Sequence, residues 1–184
     1  MPNVLNMNVI QPRLLRQPGP FNPVRINTVV STFARHIRLY LKPGATLYDA
    51  IVKPLAELGI HDASTTVLGG EFEDLYYCVA PPDPEGRTVI AYSQPIHAGR
   101  AYMVFGNATL GRSLKDEPLV HCHAVIRTET GAVFGGHIIT EKTIVGSKAS
   151  SVLVTSLEGI ELRQGFDAET KISLLQPVGV AGHG

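Results

Sequence analysis

Polar and apolar residues alternate along much of this chain, which is the periodicity of β-strands. The first such run covers residues 35–41, Arg-His-Ile-Arg-Leu-Tyr-Leu, and a Lys-Pro-Gly turn ends it. The later apolar runs are separated by segments rich in glycine and proline, which favours antiparallel hairpins. We predict these later strands at residues 65–68, 72–79, 87–93, 100–110, 119–127, 132–140, 152–157, 160–162 and 172–175.

One segment follows the period of a helix instead. Thr46 is placed to cap its first turn, and Asp49 lies three positions later as a capping partner. Gly59 suits the position after the last turn, whereas Pro54 removes a backbone donor, which predicts a kink or an early end. The apolar face of this helix comprises Leu47, Ile51, Leu55 and Leu58. One helix among many strands predicts a single α+β domain built on a mostly antiparallel sheet.

Residues 1–34 are predicted to form a basic, proline-rich arm outside that domain, which covers residues 35–177 and leaves 178–184 as a tail. The arm contains Pro12, Pro18, Pro20 and Pro23. These prolines disfavour a regular helix. Six of the 16 Lys and Arg residues, and none of the 16 Asp and Glu residues, lie within the first 42 positions. Such a basic segment can attract phosphate or an acidic partner, and the favoured alternative is that it meets the acidic body of its own chain or a neighbouring subunit.

Composition excludes several classes of protein. With 184 residues, 44% of them hydrophobic and 17% charged, the chain can bury a core without a disulfide or a metal. Aromatic residues are only 7% and Trp is absent, which argues against a stacking platform for single-stranded nucleic acid. No apolar run approaches the length of a membrane-spanning helix, so no membrane partner is predicted. Two cysteines and no secretory signal predict a cytoplasmic location.

The most specific chemical pattern is formed by three histidines. His121 and His123 are two apart, so their side chains share one face of a strand. The Glu-Thr-Gly segment between the next two apolar runs is a common hairpin connection, which would pair Thr128 with Ala132. Continuing that register places His123 opposite His137, where cross-strand Cβ atoms are about 5 Å apart. The sequence therefore predicts three imidazoles in one patch.

Three converging imidazoles are typical of a metal site with an open position. Neutral imidazole suits Zn²⁺, and also Fe, Ni or Cu. Cys122 should point to the opposite face as a small core residue. Gly135 and Gly136 would allow a close backbone approach, or a bulge that turns His137 away. The alternative to a metal is a hydrogen-bonded group of histidines. The remaining histidines, which have no such partners in the pattern, are His36, His61, His97 and His183.

The His-Cys-His and Gly-Gly-His segments resemble the PPC (plants and prokaryotes conserved) domain family. The Arg38–Gly44 segment and the helix after it are similar to the opening strand, turn and helix of that family. Residues 165–167 and 171–175 are similar to its closing segment, so the resemblance covers roughly residues 35–177.

This resemblance implies an α+β fold that assembles as a homotrimer. It also implies that His121, His123 and His137 form a metal-binding unit for zinc or another divalent transition metal. The family usually has Leu-Leu-Glu-Gly after the third histidine, whereas this chain displaces the acid by one residue, to Glu141. In plants, similar domains are fused to AT-hooks with an Arg-Gly-Arg-Pro core. Here residues 13–16 read Arg-Leu-Leu-Arg, so DNA binding is the less favoured activity.

Three functions remain open at this point. The first is a metal-dependent enzyme or small-molecule binder whose site lies near a subunit interface. The second is a DNA-associated regulator, and the third is an assembly protein with a purely structural metal. A catalyst would need a proton donor or acceptor near the metal. Candidates for that role are Glu71, Glu73 and Glu141, and Arg100 or Arg112 could hold a carboxylate. The alternative role for each of these residues, and the favoured one, is a surface position or an ion pair.

Overall fold

The computed structural model describes residues 15–24, 27–148 and 150–179. Within these residues the chain forms one helix and ten strands. In chain order they are β1 (His36–Tyr40), α1 (Leu47–Glu57), β2 (Ala63–Val67), β3 (Gly70–Cys78), β4 (Ile96–Arg112), β5 (Pro118–Thr128), β6 (Val133–Ile138), β7 (Ile144–Val145), β8 (Ser151–Ser156), β9 (Ile160–Asp167) and β10 (Ile172–Gly179). The predicted α+β domain with one main helix and a mostly antiparallel sheet is confirmed.

The strands form one sheet in the order β1-β8-β2-β4-β5-β6-β3-β7. β3 also pairs with β4, so β4, β5, β6 and β3 close into a ring. β9 and β10 form a hairpin that joins the sheet at the end of β4, where Arg112 meets Arg163 in the one parallel pairing among the described strands. The helix covers one face of the sheet and contacts β5 and β7. The core between them includes Ile51, Phe72 and Met103, all with no exposed surface.

The helix is capped as predicted at both ends. The Thr46 hydroxyl accepts a hydrogen bond from the Asp49 amide at 3.0 Å. At the other end Gly59 has φ +68°, and the Ile60 amide returns to the Leu55 carbonyl at 2.8 Å. This pattern is a Schellman motif. The early end predicted from Pro54 is wrong, because the helix continues past the proline to Glu57. The proline removes the hydrogen-bond donor to only one backbone carbonyl.

The predicted apolar face of the helix needs one correction. Leu47, Ile51 and Leu55 are buried as expected, but Leu58 is 49% exposed. The chain reverses at the glycine that follows Leu58, so Ile60 enters the core in its place with 3% exposure. The helical period therefore fails at its last residue, where the cap geometry takes over.

Replacing Thr46 by alanine is expected to destabilise the domain by about 1 kcal/mol, because the Asp49 amide loses its acceptor. The change in the urea midpoint, at unchanged slope, measures this effect. Thr46→Ser keeps the hydroxyl and is the matched control, with a change of only a few tenths of a kcal/mol. Equal losses in both variants would contradict the assigned cap.

The strand predictions fail at two places. Residues 87–93 are a loop with a single bridge from Ile90 to Pro82, because the carboxylate of Asp83 accepts hydrogen bonds from nearby amides. The donors are Glu85, Arg87 and Thr88, at 3.1, 2.8 and 3.0 Å. These bonds hold the backbone in a turn, which prevents a ladder. The second miss is β7, whose two residues are too short to leave a periodic pattern.

The described part of the predicted arm, residues 15–24 and 27–34, forms neither helix nor strand. It lies against its own chain: the Gly19 amide donates to the Glu169 carbonyl at 2.8 Å. Further along, the Ser31 hydroxyl donates to the Glu158 carbonyl at 2.7 Å. The arm positions Pro12, Arg13 and Arg25 and the tail position His183 lie outside the described residues.

Among the described residues, no helix is both long and apolar enough to cross a membrane.

Candidate metal centre

The hairpin between β5 and β6 has the predicted register. The Thr128 amide donates to the Ala132 carbonyl at 2.9 Å, and Gly131 closes the turn with φ +86°. The ladder then runs without a shift to the pair His123 and His137. A glycine bulge that would turn His137 away is therefore absent between these two strands.

The three imidazoles predicted to converge do so. His121 and His123 lie on the outer face of β5, since the alternate residues Val120, Cys122 and Ala124 are buried in the core. The ring centroid of His121 is 4.8 Å from that of His123 and 4.6 Å from that of His137. One nitrogen from each ring lies within 4.8 Å of the others.

Cys122 occupies the predicted position on the core face. It is fully buried, and burial raises the pKa of its thiol to about 12. A thiol with so high a pKa stays protonated at neutral pH, and only the thiolate is a good metal ligand. Cys122 therefore does not compete with the imidazoles for a metal.

Gly136 allows the strand that carries His137 to lie close to β3. A Cβ atom at this position would be 2.4 Å from the Cys78 carbonyl oxygen, which belongs to the backbone. The Cα atoms of Cys78 and His137 are paired across these two strands. The close approach predicted for the glycine pair is thus real at Gly136, and it fixes the position of the third imidazole.

The donor set fits a divalent transition metal. The Nδ1 atom of His137 is buried and has no hydrogen-bond partner, which is costly unless something binds it. Burial, and then the charges of His137 and His123, lower the pKa of His121 to about 4. Burial and then His123 also lower the pKa of His137. Neutral imidazoles are the form that binds zinc. Zinc–nitrogen bonds of about 2.0–2.1 Å require nitrogens about 3.4 Å apart, so small side-chain rotations bring the three together.

The metal-free protein is expected to lose stability as the pH falls from about 6.5 towards 4. The pKa of His121 is about 4 when folded and 6.5 in the reference state, so the unfolded chain binds more protons in this window. The stabilisation is complete above pH 6.5 and is lost as the pH falls. Urea midpoints at pH 7, 6 and 5 measure it, and His121→Gln is expected to flatten the curve. Parallel curves for the two proteins would contradict the assignment.

The histidines form the floor of an open pocket of about 740 Å³. The outer face of β4, β5 and β6 is its base, and Ile172 and Leu174 of the β9–β10 hairpin form one wall. The loop of residues 79–94 forms another wall. The Val89 amide donates to the Thr170 carbonyl at 2.9 Å, so loop and hairpin are joined around the histidines.

Two polar residues of this pocket were not identified from the sequence. The Tyr92 ring centroid lies 5.6 Å from that of His137. Burial, and then Cys78, raise the pKa of this tyrosine. Asn107 of β4 pairs directly with His123 and also lines the pocket. In the turn between β4 and β5, the Ser113 amide donates to the Glu117 carbonyl at 2.8 Å. Counting outward from this turn gives the pairing of Asn107 with His123, so the sequence held a signal that could have identified Asn107.

The candidate carboxylates lie elsewhere. Glu71 pairs with Lys148 at 2.9 Å, and Glu73 pairs with Arg100 at 3.0 Å. Glu141 is exposed in the turn after β6. None of these three acids belongs to the histidine cluster or lines its pocket. The pairs of Glu71 and Glu73 are exposed ion pairs of the kind that contributes about 0–1 kcal/mol.

The other candidate arginine and the remaining described histidines also lie away from the cluster. Arg112 donates to the Asp116 carbonyl at 3.3 Å. His97 contacts Asp74 and stacks on Tyr76 with centroids 4.5 Å apart. His36 bonds the Thr155 hydroxyl at 3.1 Å. His61 lies near the end of the helix, beside other cavities.

Comparison with known families gives one match. The family described as the Plants and Prokaryotes Conserved (PCC) domain matches residues 30–157, which is more than half of the chain. This is the family that the histidine segments resemble. The match ends before residues 165–175, where the sequence pattern also suggested a likeness. No curated protein matches the chain.

Solved structures with the same fold come from archaea and bacteria. A metal-containing protein from Archaeoglobus fulgidus is 22% identical with a TM-score of 0.63, over 77% of this chain and 93% of that one. A plant- and prokaryote-conserved protein from Pyrococcus horikoshii is 19% identical with a TM-score of 0.60, over 82% and 99%. A candidate DNA-binding protein from Ralstonia eutropha JMP134 is 18% identical with a TM-score of 0.60, over 76% and 89%. At these identities the likeness shows the fold alone.

Proposed function

The chain belongs to the Plants and Prokaryotes Conserved domain family, and from that premise we propose a homotrimeric metal-binding protein whose three-histidine centre binds or transforms a small molecule. His121, His123 and His137 would hold zinc or another divalent transition metal. The observation that carries the proposal is the convergence of these three imidazoles on the floor of one pocket. When bound, such a metal acts as a Lewis acid.

Two further observations support a metal. The buried Nδ1 atom of His137 has no hydrogen-bond partner. The protein of the same fold from Archaeoglobus fulgidus is described as metal-containing. The unpartnered Nδ1 atom fits a metal ligand better than a member of a hydrogen-bonded histidine network.

A chemical or ligand-binding role is favoured over a purely structural metal. The β5–β6 hairpin is already held by its own ladder and its turn, so it needs no metal to keep its register. Three protein ligands leave a coordination position for water or a ligand. Here that position would face a pocket of about 740 Å³, within the size range of small-molecule sites.

Trimeric assembly is supported by an apolar surface on three neighbouring strands. Large apolar side chains there are 42–62% exposed, and a contiguous patch of this kind usually marks an interface. They are Tyr102, Val104 and Phe105 of β4, Val125 of β5 and Val133 of β6, and because Phe105 and Val125 also line the histidine pocket, the interface would adjoin that pocket. The family resemblance implies three copies rather than two.

DNA binding is less well supported for this chain, although one protein of this fold is named as a candidate DNA-binding protein. DNA affinity depends on Lys and Arg contacts to phosphates. The formal net charge of this chain is zero, and no Lys or Arg lines the histidine pocket in the described residues.

Metal analysis of the purified protein tests the proposal. About one transition metal per chain is expected, with the mass of a trimer by light scattering. The double variant His121→Ala/His123→Ala is expected to lose the metal and keep the trimer. His36→Ala removes an exposed histidine outside the cluster and is the matched control, which should keep both.

Two results would argue against this function. A protein that holds no metal and takes up none on dialysis against zinc would overturn the metal centre. A double variant that loses its trimer along with its metal would favour a structural metal instead.

A further inference from the structure

The walls of the histidine pocket carry no carboxylate, ammonium or guanidinium group among the described residues. Among the described residues that line it there is no Asp, Glu, Lys or Arg. Its walls are mostly aliphatic and aromatic, and its floor is the three imidazoles. The charge inside the pocket would therefore come almost entirely from whatever ion the histidines hold.

This charge pattern selects the ligand. A divalent ion held by neutral imidazoles keeps its full charge, and apolar walls strengthen its attraction for an anion by lowering the local dielectric constant. A single negative charge is favoured at that point. A ligand with several negative charges would place its additional charges against apolar walls. Those walls lack the Lys or Arg groups that normally bind phosphates.

Two uncharged polar groups lie beside the histidines and can orient such an anion. Asn107 is exposed and pairs with His123 across β4 and β5. Its amide makes no hydrogen bond to another residue within the described ranges, so it is available to a ligand. Tyr92, on the loop of residues 79–94, lies beside His137, with ring centroids 5.6 Å apart.

Beyond these groups the described lining of the pocket is mainly apolar. Phe105 and Val125 rise from the base and are 51% and 42% exposed. Ile90 on the loop and Leu174 on the hairpin face them across the pocket. An apolar body of several carbons would cover these four side chains and gain about 0.8 kcal/mol per buried methylene.

We propose that this pocket recognises a singly charged ligand with an oxygen-anion head and an apolar body, a medium-chain monocarboxylate being the simplest example. The head would lie at the histidines with Asn107 and Tyr92 as hydrogen-bonding partners, and the body would lie between Phe105 and Leu174. This inference rests on the proposed metal centre and adds the class of ligand.

The test uses the full-length protein loaded with Co²⁺, whose visible spectrum reports ligand exchange at the ion. Acetate, butyrate and hexanoate are titrated, together with succinate and inorganic phosphate. Affinity is expected to rise about fourfold per added methylene. Succinate, which matches butyrate in length but carries a second charge, is expected to bind at least about tenfold more weakly.

Variants separate the head from the body of the ligand. Phe105→Ala is expected to reduce the gain with chain length, and Asn107→Ala to weaken all monocarboxylates about fivefold, both with unchanged Co²⁺ content. Phe166→Ala is the matched control, because Phe166 is 63% exposed and lies outside the pocket. It should change nothing.

The outcomes distinguish this inference from the function on which it rests. A protein that binds no Co²⁺ overturns the metal centre itself. A protein that binds Co²⁺, but shows no dependence on chain length or binds phosphate or succinate as tightly as hexanoate, overturns the ligand class and leaves the metal centre standing.

Discussion

Gly136→Ala is expected to lower the free energy of unfolding by about 3 kcal/mol and to weaken zinc binding at least about tenfold. A Cβ atom at Gly136 would be 2.4 Å from the backbone oxygen of Cys78 and 3.0 Å from the Tyr77 ring. A backbone oxygen cannot rotate away as a side chain can, so β3 and β6 would have to separate. His137 follows directly in the chain and would move with its strand. Urea unfolding and zinc titration measure the two effects.

Gly135→Ala is the matched control for that prediction. It makes the same change one residue earlier in the same strand. Its nearest neighbour would be the Ala124 carbonyl oxygen at 3.3 Å, which needs a shift of only a few tenths of an ångström. A loss below about 1 kcal/mol is expected. Equal losses of stability and of zinc binding in the two glycine variants would contradict the claim that close packing of β6 on β3 positions His137.

Zinc is expected to stabilise the wild-type protein by about 4 kcal/mol at a free concentration one thousand times its dissociation constant. The gain follows from mass action, because the three imidazoles come together only in the folded chain. At a fixed protein concentration and pH 7, the shift in the urea midpoint measures it.

His123→Ala is expected to abolish the effect of zinc on stability. His97→Ala is the matched control, since His97 contacts Asp74 and lies outside the cluster. Chelation should return the wild type to its metal-free stability with its fold intact. A protein that unfolds on chelation at room temperature would contradict a hairpin held by its own ladder.

The histidine cluster could be predicted because its geometry depends on local features. Residues 129–131 form a short turn that ends in glycine, and Gly131 adopts φ +86°. That turn sets the register, so the pairing of His123 with His137 follows by counting outward from it. The helix cap at Thr46 was predictable for the same reason, since a cap involves residues three positions apart.

The pocket walls could not be predicted because they depend on contacts distant in sequence. Residues 87–93 contain an apolar run that predicts a strand, yet the carboxylate of Asp83 accepts hydrogen bonds from three amides that follow it, and these bonds hold the segment as a loop. Tyr92 reaches the histidines because that loop folds back on itself. The Ser93 amide donates a hydrogen bond to the Val79 carbonyl at 2.8 Å and holds the loop in this shape. Leu174 arrives from a hairpin that begins after the family match ends.

The candidate acids show a third kind of failure. Glu71 and Glu73 follow two glycines, a position where a turn could present carboxylates to a site. In the structure they belong to β3, and each carboxylate meets a base from another segment of the chain. Composition and spacing reveal that acids are present, but they do not reveal which bases the fold brings to them.

X-ray absorption at the zinc edge of the loaded protein tests the central claim most directly. Three imidazole nitrogens at about 2.0–2.1 Å with an oxygen donor in the remaining position are expected, and the imidazole signal should fall in His137→Ala. A sulfur neighbour at about 2.3 Å, as Cys78 at the edge of the pocket could supply, or fewer than three imidazoles in the wild type, would contradict the three-histidine centre.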